Sequence, residues 1–126
     1  MKQPKYALIC PSSMGVRITP SERQAVHISN TYFMQATSAE TNVLSVSSSL
    51  GLPVKVLTKF VEGSPIASFI KSDLRSRRIE FEGPDVPQGG AWGFRHQFNI
   101  ADSGFGARGP RVWNDRTGEV GMTLST

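Results

Sequence analysis

Apolar and alternating segments in the first half of the chain predict strands. Residues 6–10 form a continuous apolar run, and residues 54–58 are mostly apolar and rich in β-branched side chains. Runs of this kind are typical of parallel strands that are covered on both faces. Between them, residues 16–19 alternate apolar and polar side chains, which predicts a half-exposed strand. Arg17 falls on its polar face, either as an exposed strand residue or as a cation that faces a ligand.

Two further segments have the periodicity of helices. Ser38 can cap a helix that Gly51 ends, and Ser64 followed by Pro65 predicts the start of a second helix that runs to about Arg77. The first helix is expected to bury one face through Ala39, Val43, Val46 and Leu50. The stripe of the second helix consists of Ile66, Phe69, Ile70 and Leu74. Strands that alternate with helices predict an α/β fold built from βαβ units.

The second half of the chain predicts exposed strands and loops. Nine of the 12 glycines follow residue 82. Residues 94–100 and 111–114 alternate apolar and polar side chains, which predicts two strands of a β-flap. The loop between them contains G-x-G-x-x-G at residues 104–109, but a proline and a strand follow this motif instead of a helix. We therefore interpret it as a connecting loop, not as a dinucleotide site.

Composition and charge narrow the functional classes. The net charge of +4 favours acidic partners such as sugar acids, phosphates or nucleic acid. The single Cys10 lies in an apolar run, which predicts a small buried side chain in a reducing compartment. The first apolar run is too short for a signal peptide or a membrane span, so we expect a cytoplasmic protein without a membrane partner. The basic residues 75–78 fit the end of a helix better than a nucleic-acid site, because no aromatic residues are interleaved with them.

Several segments resemble the amino-terminal part of the ribokinase-like (PfkB) carbohydrate kinases, and most of all the keto-deoxy-gluconate kinase branch. The resemblance begins at residues 39–43 and continues through the helix end at 49–54 and the strand at 55–58. It extends over residues 64–80 and over lid-like segments at 92–98 and 111–118. It implies a partial Rossmann-like sheet with flanking helices, and a small antiparallel β lid from approximately 16–19, 92–100 and 111–122.

The resemblance also implies a sugar-binding role for particular residues. Ser38 lies at a helix N-terminus whose free backbone N–H groups suit an oxygen-rich ligand. Asn42 matches an asparagine that contacts sugar hydroxyls, although an asparagine near a helix start can also serve the backbone. Arg116 matches an arginine that meets a sugar acid, although Asn114 to Gly118 is also a good hairpin turn. Arg95 lies near a substrate-facing lid position.

The implied function is the sugar-binding, amino-terminal portion of an ATP-dependent kinase that acts on a sugar acid such as 2-keto-3-deoxygluconate. Thr37 and Ser38 stand where relatives carry two glycines, which reshapes the pocket. ATP and Mg²⁺ are implied as cofactors, but the late Gly-Ala-Gly-Asp motif that supplies the family's catalytic base is missing from these 126 residues. We therefore expect the isolated chain to be inactive and the ATP site to lie outside it.

One further expectation concerns a protein partner. The lid can form a homodimer, because pairing would cover its open strand edges. Two other functions remain open at this point: a stand-alone module that binds a sugar or an acid, and a small basic nucleic-acid-binding protein.

Overall fold

A computed structural model of the chain describes residues 4–125. Its first sheet is parallel, with strand order β1-β4-β6. The strands are β1 (Leu8–Pro11), β4 (Val54–Leu57) and β6 (Glu80–Glu82). Helix α1 (Ala39–Ser49) leads into β4, and helix α2 (Pro65–Ser76) leads into β6. Strands β5 (Phe60–Val61) and β7 (Asp85–Val86) form a small parallel pair beside this sheet.

The second sheet has four strands in the order β3-β2-β8-β9. These strands are β2 (Gly15–Pro20), β3 (Tyr32–Thr37), β8 (Gln97–Asp102) and β9 (Arg111–Asp115). The α/β class with a partial Rossmann-like sheet, flanking helices and a β lid is confirmed. The lid differs in one respect from the antiparallel expectation, since its central strands β2 and β8 run parallel. A parallel pair needs a long crossover, and the intervening helices and strands provide it.

Strands β8 and β9 are shorter than the predicted lid segments 92–100 and 111–122, whereas β2 extends slightly beyond the predicted 16–19. Residues 92–96 form turns and an isolated bridge before β8, and β9 ends at Asp115. Gly118 has a φ of 72°, so the chain turns there before a short 3-10 helix at Val120–Thr123. Residues 31–35, which the sequence suggests only as an extended connection, belong mainly to β3, an edge strand of the lid. The loop between β8 and β9 contains the G-x-G-x-x-G motif, as predicted.

The core lies between the two helices and one face of the parallel sheet. Helix α2 follows its predicted pattern: Ser64 caps it by accepting hydrogen bonds from two backbone N–H groups, and Ile70 and Leu74 are fully buried. These side chains pack with Val54 and Val56 of β4. Cys10 is half-buried at the edge of this core.

The predicted apolar face of α1 is wrong. Val43, Val46 and Leu50 are 58%, 63% and 74% exposed, while the buried positions are Thr41, Leu44 and Ser48. Both sets have helical spacing, but the small hydroxyl side chains allow the helix to lie close to strands β1 and β4 of the parallel sheet. The Ser48 hydroxyl lies 2.7 Å from the carbonyl oxygen of Arg77, which satisfies an otherwise free group at the end of α2.

The opposite face of the parallel sheet is open within residues 4–125. Ile9 and Leu57, which lie on that face, are 47% and 37% exposed. Parallel sheets are usually covered on both faces, so the expectation of fully buried strands holds here for one face only. Neither helix in the described part of the chain combines the length and the apolar character that a membrane crossing requires.

Candidate functional site

A polar cleft of about 450 Å³ lies where the lid, the turn after β1 and the start of α1 meet. The side chains that line it are mainly hydroxyls, amides and charged groups, with apolar residues at the carboxyl-terminal 3-10 turn. The lining comprises Pro11, Ser12, Ser13, Arg17, Thr37, Ser38, Ala39, Glu40, Gln97, Asn99, Asn114, Arg116, Gly121, Met122 and Leu124.

The floor of the cleft is a row of polar side chains that crosses the lid sheet. In the strand registers, Arg17 of β2 is paired with Gln35 of β3 on one side and with Asn99 of β8 on the other. Asn99 is in turn paired with Asn114 of β9. Because side chains alternate along a strand, the neighbouring Val16 points to the opposite face and joins the core. The amphipathic alternation thus places one cation and several amides on the cleft side.

Gly15 makes room for another polar group of the floor. It is paired with Gln97, and a Cβ atom at Gly15 would lie 1.8 Å from the Gln97 Cγ atom. A larger residue at this position would therefore displace the Gln97 side chain from the cleft.

The start of α1 forms one wall. The Ser38 hydroxyl accepts a hydrogen bond of 3.1 Å from the Thr41 backbone N–H, which is the predicted helix cap. It also lies 2.7 Å from the Ser12 hydroxyl. The Glu40 carboxylate accepts a 3.0 Å hydrogen bond from Ser12 and faces the cleft. Ser38 therefore shapes this wall while serving the helix.

Arg116 forms the opposite wall, next to a buried carboxylate. Its Nε and Nη2 atoms lie 3.0 Å and 3.5 Å from the two carboxylate oxygens of Glu119. Glu119 is only 3% exposed and also accepts a hydrogen bond from Ser13. The hydrogen bond and the charge of Glu119 raise the pKa of Arg116, and the charge of Glu40 contributes in the same direction.

Arg17 and Asn99 differ from Arg116 in having free polar atoms. Within residues 4–125, the Arg17 side chain makes no ion pair and its buried Nε atom has no hydrogen-bond partner. The buried Oδ1 atom of Asn99 also lacks a partner in this part of the chain, and Asn99 is 7% exposed. Both residues line the cleft.

The four residues suggested by sequence fall into two groups. Ser38 and Arg116 line the cleft. Asn42 is exposed on α1 and does not belong to the lining. Arg95 also lies outside it, where its Nε donates a 2.6 Å hydrogen bond to the Thr117 carbonyl oxygen and its guanidinium pairs with Asp115.

Sequence reasoning missed most of the floor. The alternation in residues 94–100 does indicate which residues share a face of β8, but it does not show that β8 pairs with β2. Glu119 gives no sequence signal, because an acidic residue beside a hairpin turn is usually exposed. Within residues 4–125, no group of three or more His, Cys, Asp or Glu side chains converges in a way that could hold a metal ion.

Known structures share this fold. The chain matches the 2-dehydro-3-deoxygluconokinase of Thermotoga maritima with a TM-score of 0.81 and 17% identity, over 94% of this chain and 34% of that one. It matches a PfkB family carbohydrate kinase of Listeria grayi with a TM-score of 0.80 and 18% identity, over 94% and 35%. A sugar kinase of Pyrococcus horikoshii solved in complex with ATP matches with a TM-score of 0.73 and 11% identity, over 90% and 35%.

These matches show that the chain has the fold of the amino-terminal portion of PfkB-family carbohydrate kinases. The chain spans about a third of the length of the solved structures that it matches. No protein-family model and no curated protein matches the sequence.

Proposed function

We propose that this chain is the sugar-binding, amino-terminal portion of an ATP-dependent carbohydrate kinase, and that its substrate is a sugar acid such as 2-keto-3-deoxygluconate. The observation that carries the proposal is the cleft of about 450 Å³ lined by hydroxyl, amide and charged side chains. Groups of these types match the hydroxyls and the carboxylate of a sugar acid. The fold of sugar kinases supports the same reading.

Within the proposed site, Ser12, Ser38, Gln97 and Asn114 offer hydrogen bonds to sugar hydroxyls, and Arg116 contributes positive charge. Asn42 and Arg95 stay outside the proposed site, because neither lines the cleft. The Glu40 carboxylate adds a hydrogen-bond acceptor for one of the hydroxyls of the sugar.

Phosphoryl transfer belongs to the complete kinase in this proposal. ATP would supply the phosphoryl group and Mg²⁺ would neutralise its charge, with both held outside the described residues. The residues of the cleft bind and orient the sugar, and the proposal assigns no catalytic base to this chain. Titration of the chain with ATP is therefore expected to show no turnover of a bound sugar.

The proposal is tested by binding of 2-keto-3-deoxygluconate, D-gluconate and an oligonucleotide, measured by isothermal titration calorimetry. We expect both acids to bind, and the oligonucleotide to bind weakly at low and at high salt. The variant Asn114→Trp fills the cleft and should weaken acid binding by at least about tenfold, a difference that titration resolves easily. Val112→Trp is the matched control, because it lies two residues away on the same strand, is 58% exposed and does not line the cleft.

Each result has a clear meaning. Acid binding that survives Asn114→Trp would refute the location of the site. Steeply salt-dependent oligonucleotide binding without acid binding would favour a nucleic-acid-binding protein instead.

We also propose that the lid forms a homodimer. Strands β3 and β9 are the two edges of the lid sheet, and Phe33, Val112 and Trp113 on them are 64%, 58% and 60% exposed. A second copy that pairs along one edge would cover backbone groups and apolar side chains together. Sedimentation equilibrium should give twice the monomer mass for the wild type, and a monomer for both the wild type and Trp113→Glu would refute this proposal.

A further inference from the structure

The cleft contains a cation that no group of the described chain neutralises. Arg17 lies on the central strand β2, and its Nε atom is buried without a hydrogen-bond acceptor. Within residues 4–125, Arg17 forms no ion pair, whereas the arginine of the opposite wall is held by Glu119. A buried guanidinium N–H without a partner is unfavourable in the free protein unless a bound acceptor or water completes it.

Asn99 has the complementary deficiency at the neighbouring position. It is 7% exposed, its Oδ1 atom lacks a donor among the residues that the structure describes, and it is the register partner of Arg17 on the adjacent parallel strand. Adjacent strands lie about 4.8 Å apart, so the two side chains can reach one small group of atoms. The floor of the cleft thus presents a free charged donor next to a free acceptor.

The two cleft arginines are not equivalent. Arg116 directs two of its nitrogens to Glu119. A second carboxylate, Glu40 at the start of α1, faces the same cleft. The positive charge of Arg116 is therefore balanced mainly by Glu119 within the protein. Arg17 retains its full hydrogen-bonding capacity for a ligand, and a guanidinium binds a carboxylate through two parallel hydrogen bonds.

We infer that Arg17 and Asn99 together bind the acid end of the substrate, with the carboxylate on Arg17 and a hydroxyl of a nearby carbon donating to Asn99 Oδ1. This inference rests on the proposed function and adds the orientation of the substrate. The class of ligand is a hydroxy acid, because a plain anion would leave the Asn99 acceptor unfilled and a neutral polyol would leave the guanidinium unpaired. Arg116 then contacts the remaining hydroxyls instead of the carboxylate.

The test compares two ligands that differ only at the acid end. D-Gluconate carries a carboxylate where D-glucitol carries a CH₂OH group, and inorganic sulfate, which has no O–H donor at neutral pH, serves as a plain anion. Arg17→Met should weaken gluconate binding by about 10- to 100-fold, the range for a lost hydrogen bond to a charged group, and should leave glucitol binding within about twofold. Arg111→Met is the matched control, since Arg111 lies in the same sheet but stacks on Trp113 outside the cleft.

A structural role for Arg17 predicts a different result. Removing a half-buried charge that forms no ion pair within residues 4–125 should leave the melting temperature of Arg17→Met unchanged or raise it, whereas loss of a structural contact would lower it. Asn99→Leu provides a second variant, which removes the acceptor at similar volume and should also weaken gluconate more than glucitol. Equal gluconate affinity in the wild type and Arg17→Met would overturn the inference.

The outcomes also separate this inference from the proposed function. If neither gluconate nor glucitol binds the wild type, the proposed function itself fails, and the inference fails with it. If gluconate binds and depends on Asn114 but not on Arg17, the proposed function stands and only the orientation is wrong. Binding of sulfate that depends on Arg17, without binding of gluconate, would show an anion site and refute the hydroxy-acid assignment.

Discussion

His96 connects two strands through hydrogen bonds that require its neutral form. The backbone N–H of Val61 donates to His96 Nε2 over 3.2 Å, and Nδ1 lies 3.1 Å from the carbonyl oxygen of Met14. Because an amide N–H can only donate, Nε2 must be unprotonated, so Nδ1 carries the proton and donates a hydrogen bond to the Met14 carbonyl oxygen. The side chain is 6% exposed. The ring therefore joins β5 to the segment that leads into β2.

The cost of removing this ring follows from the two backbone groups that it satisfies. His96→Leu leaves the Val61 N–H and the Met14 carbonyl buried without this partner. At about 1–3 kcal/mol for each unsatisfied group, the free energy of unfolding should fall by about 2–6 kcal/mol. This is a large share of the stability of an ordinary domain. His27→Leu is the matched control, because His27 is exposed and should change the free energy of unfolding by less than about 0.5 kcal/mol.

Acidification should act on the same contact. Burial lowers the pKa of His96, an effect that the Met14 hydrogen bond and the charge of Glu119 only partly oppose. The folded state therefore binds a proton less readily than the unfolded state, in which the pKa is about 6.5. The stabilising contribution is complete above about pH 6.5 and is lost as the pH falls from there through the lower folded pKa. One proton limits the slope to about 1.4 kcal/mol per pH unit.

Urea unfolding of the wild type, His27→Leu and His96→Gln between pH 8 and pH 5 measures this contribution. The glutamine keeps an acceptor for Val61 but does not titrate, so it also covers the case in which the leucine variant fails to fold. We expect the free energy of unfolding to fall below pH 6.5 more steeply in the wild type and in His27→Leu than in His96→Gln. Parallel curves for all three proteins would contradict the assignment of a neutral, acceptor Nε2.

Further variants test the fold and the helix caps by thermal and urea unfolding. Leu44→Ala should lower the free energy of unfolding by about 2–5 kcal/mol, because Leu44 is fully buried. Val43→Ala should lower it much less, because Val43 is 58% exposed. The reverse order would show that α1 buries the face predicted from the sequence. Ser64→Ala should cost about 0.5–2 kcal/mol through loss of the α2 cap, and an unchanged melting temperature would show that the cap contributes nothing. Gly83→Ala should prevent stable folding, since a Cβ atom would lie 1.3 Å from the Thr58 carbonyl oxygen, and a wild-type melting curve would refute this packing.

The sequence predicts the start of both helices from their capping residues, but it predicts the buried face of only one of them. The cap at Ser64 and the stripe through Ile70 and Leu74 define α2 because capping and burial agree there. In α1 they disagree: Ser38 caps the helix as predicted, but the apolar valines face outward and small hydroxyl residues pack inward. Hydrophobicity alone does not reveal how closely a helix approaches the sheet on which it packs.

The cleft was less predictable because its floor is assembled across strands. Alternation in the sequence places Arg17 on the polar face of β2 and Asn99 on one face of β8. It cannot show that the two strands are neighbours or that they run parallel, since that pairing depends on the path of the intervening chain. The partner of Arg116 was missed for a similar reason: Glu119 is buried and accepts a hydrogen bond from Ser13, which is distant in sequence.

The parallel pairing of β2 with β8 also affects how the chain folds. Arg17 and Asn99 are more than eighty residues apart in sequence, and strand β9 beyond them supplies Asn114. Closing so long a loop costs entropy before the contact returns any stabilisation, and contacts of this kind slow folding. During synthesis, α1, β4 and α2 leave the ribosome before β8 exists, so their hydrophobic cluster can form first. The binding floor is then completed only after the last lid strands emerge, with β2 held until that moment by its antiparallel neighbour β3.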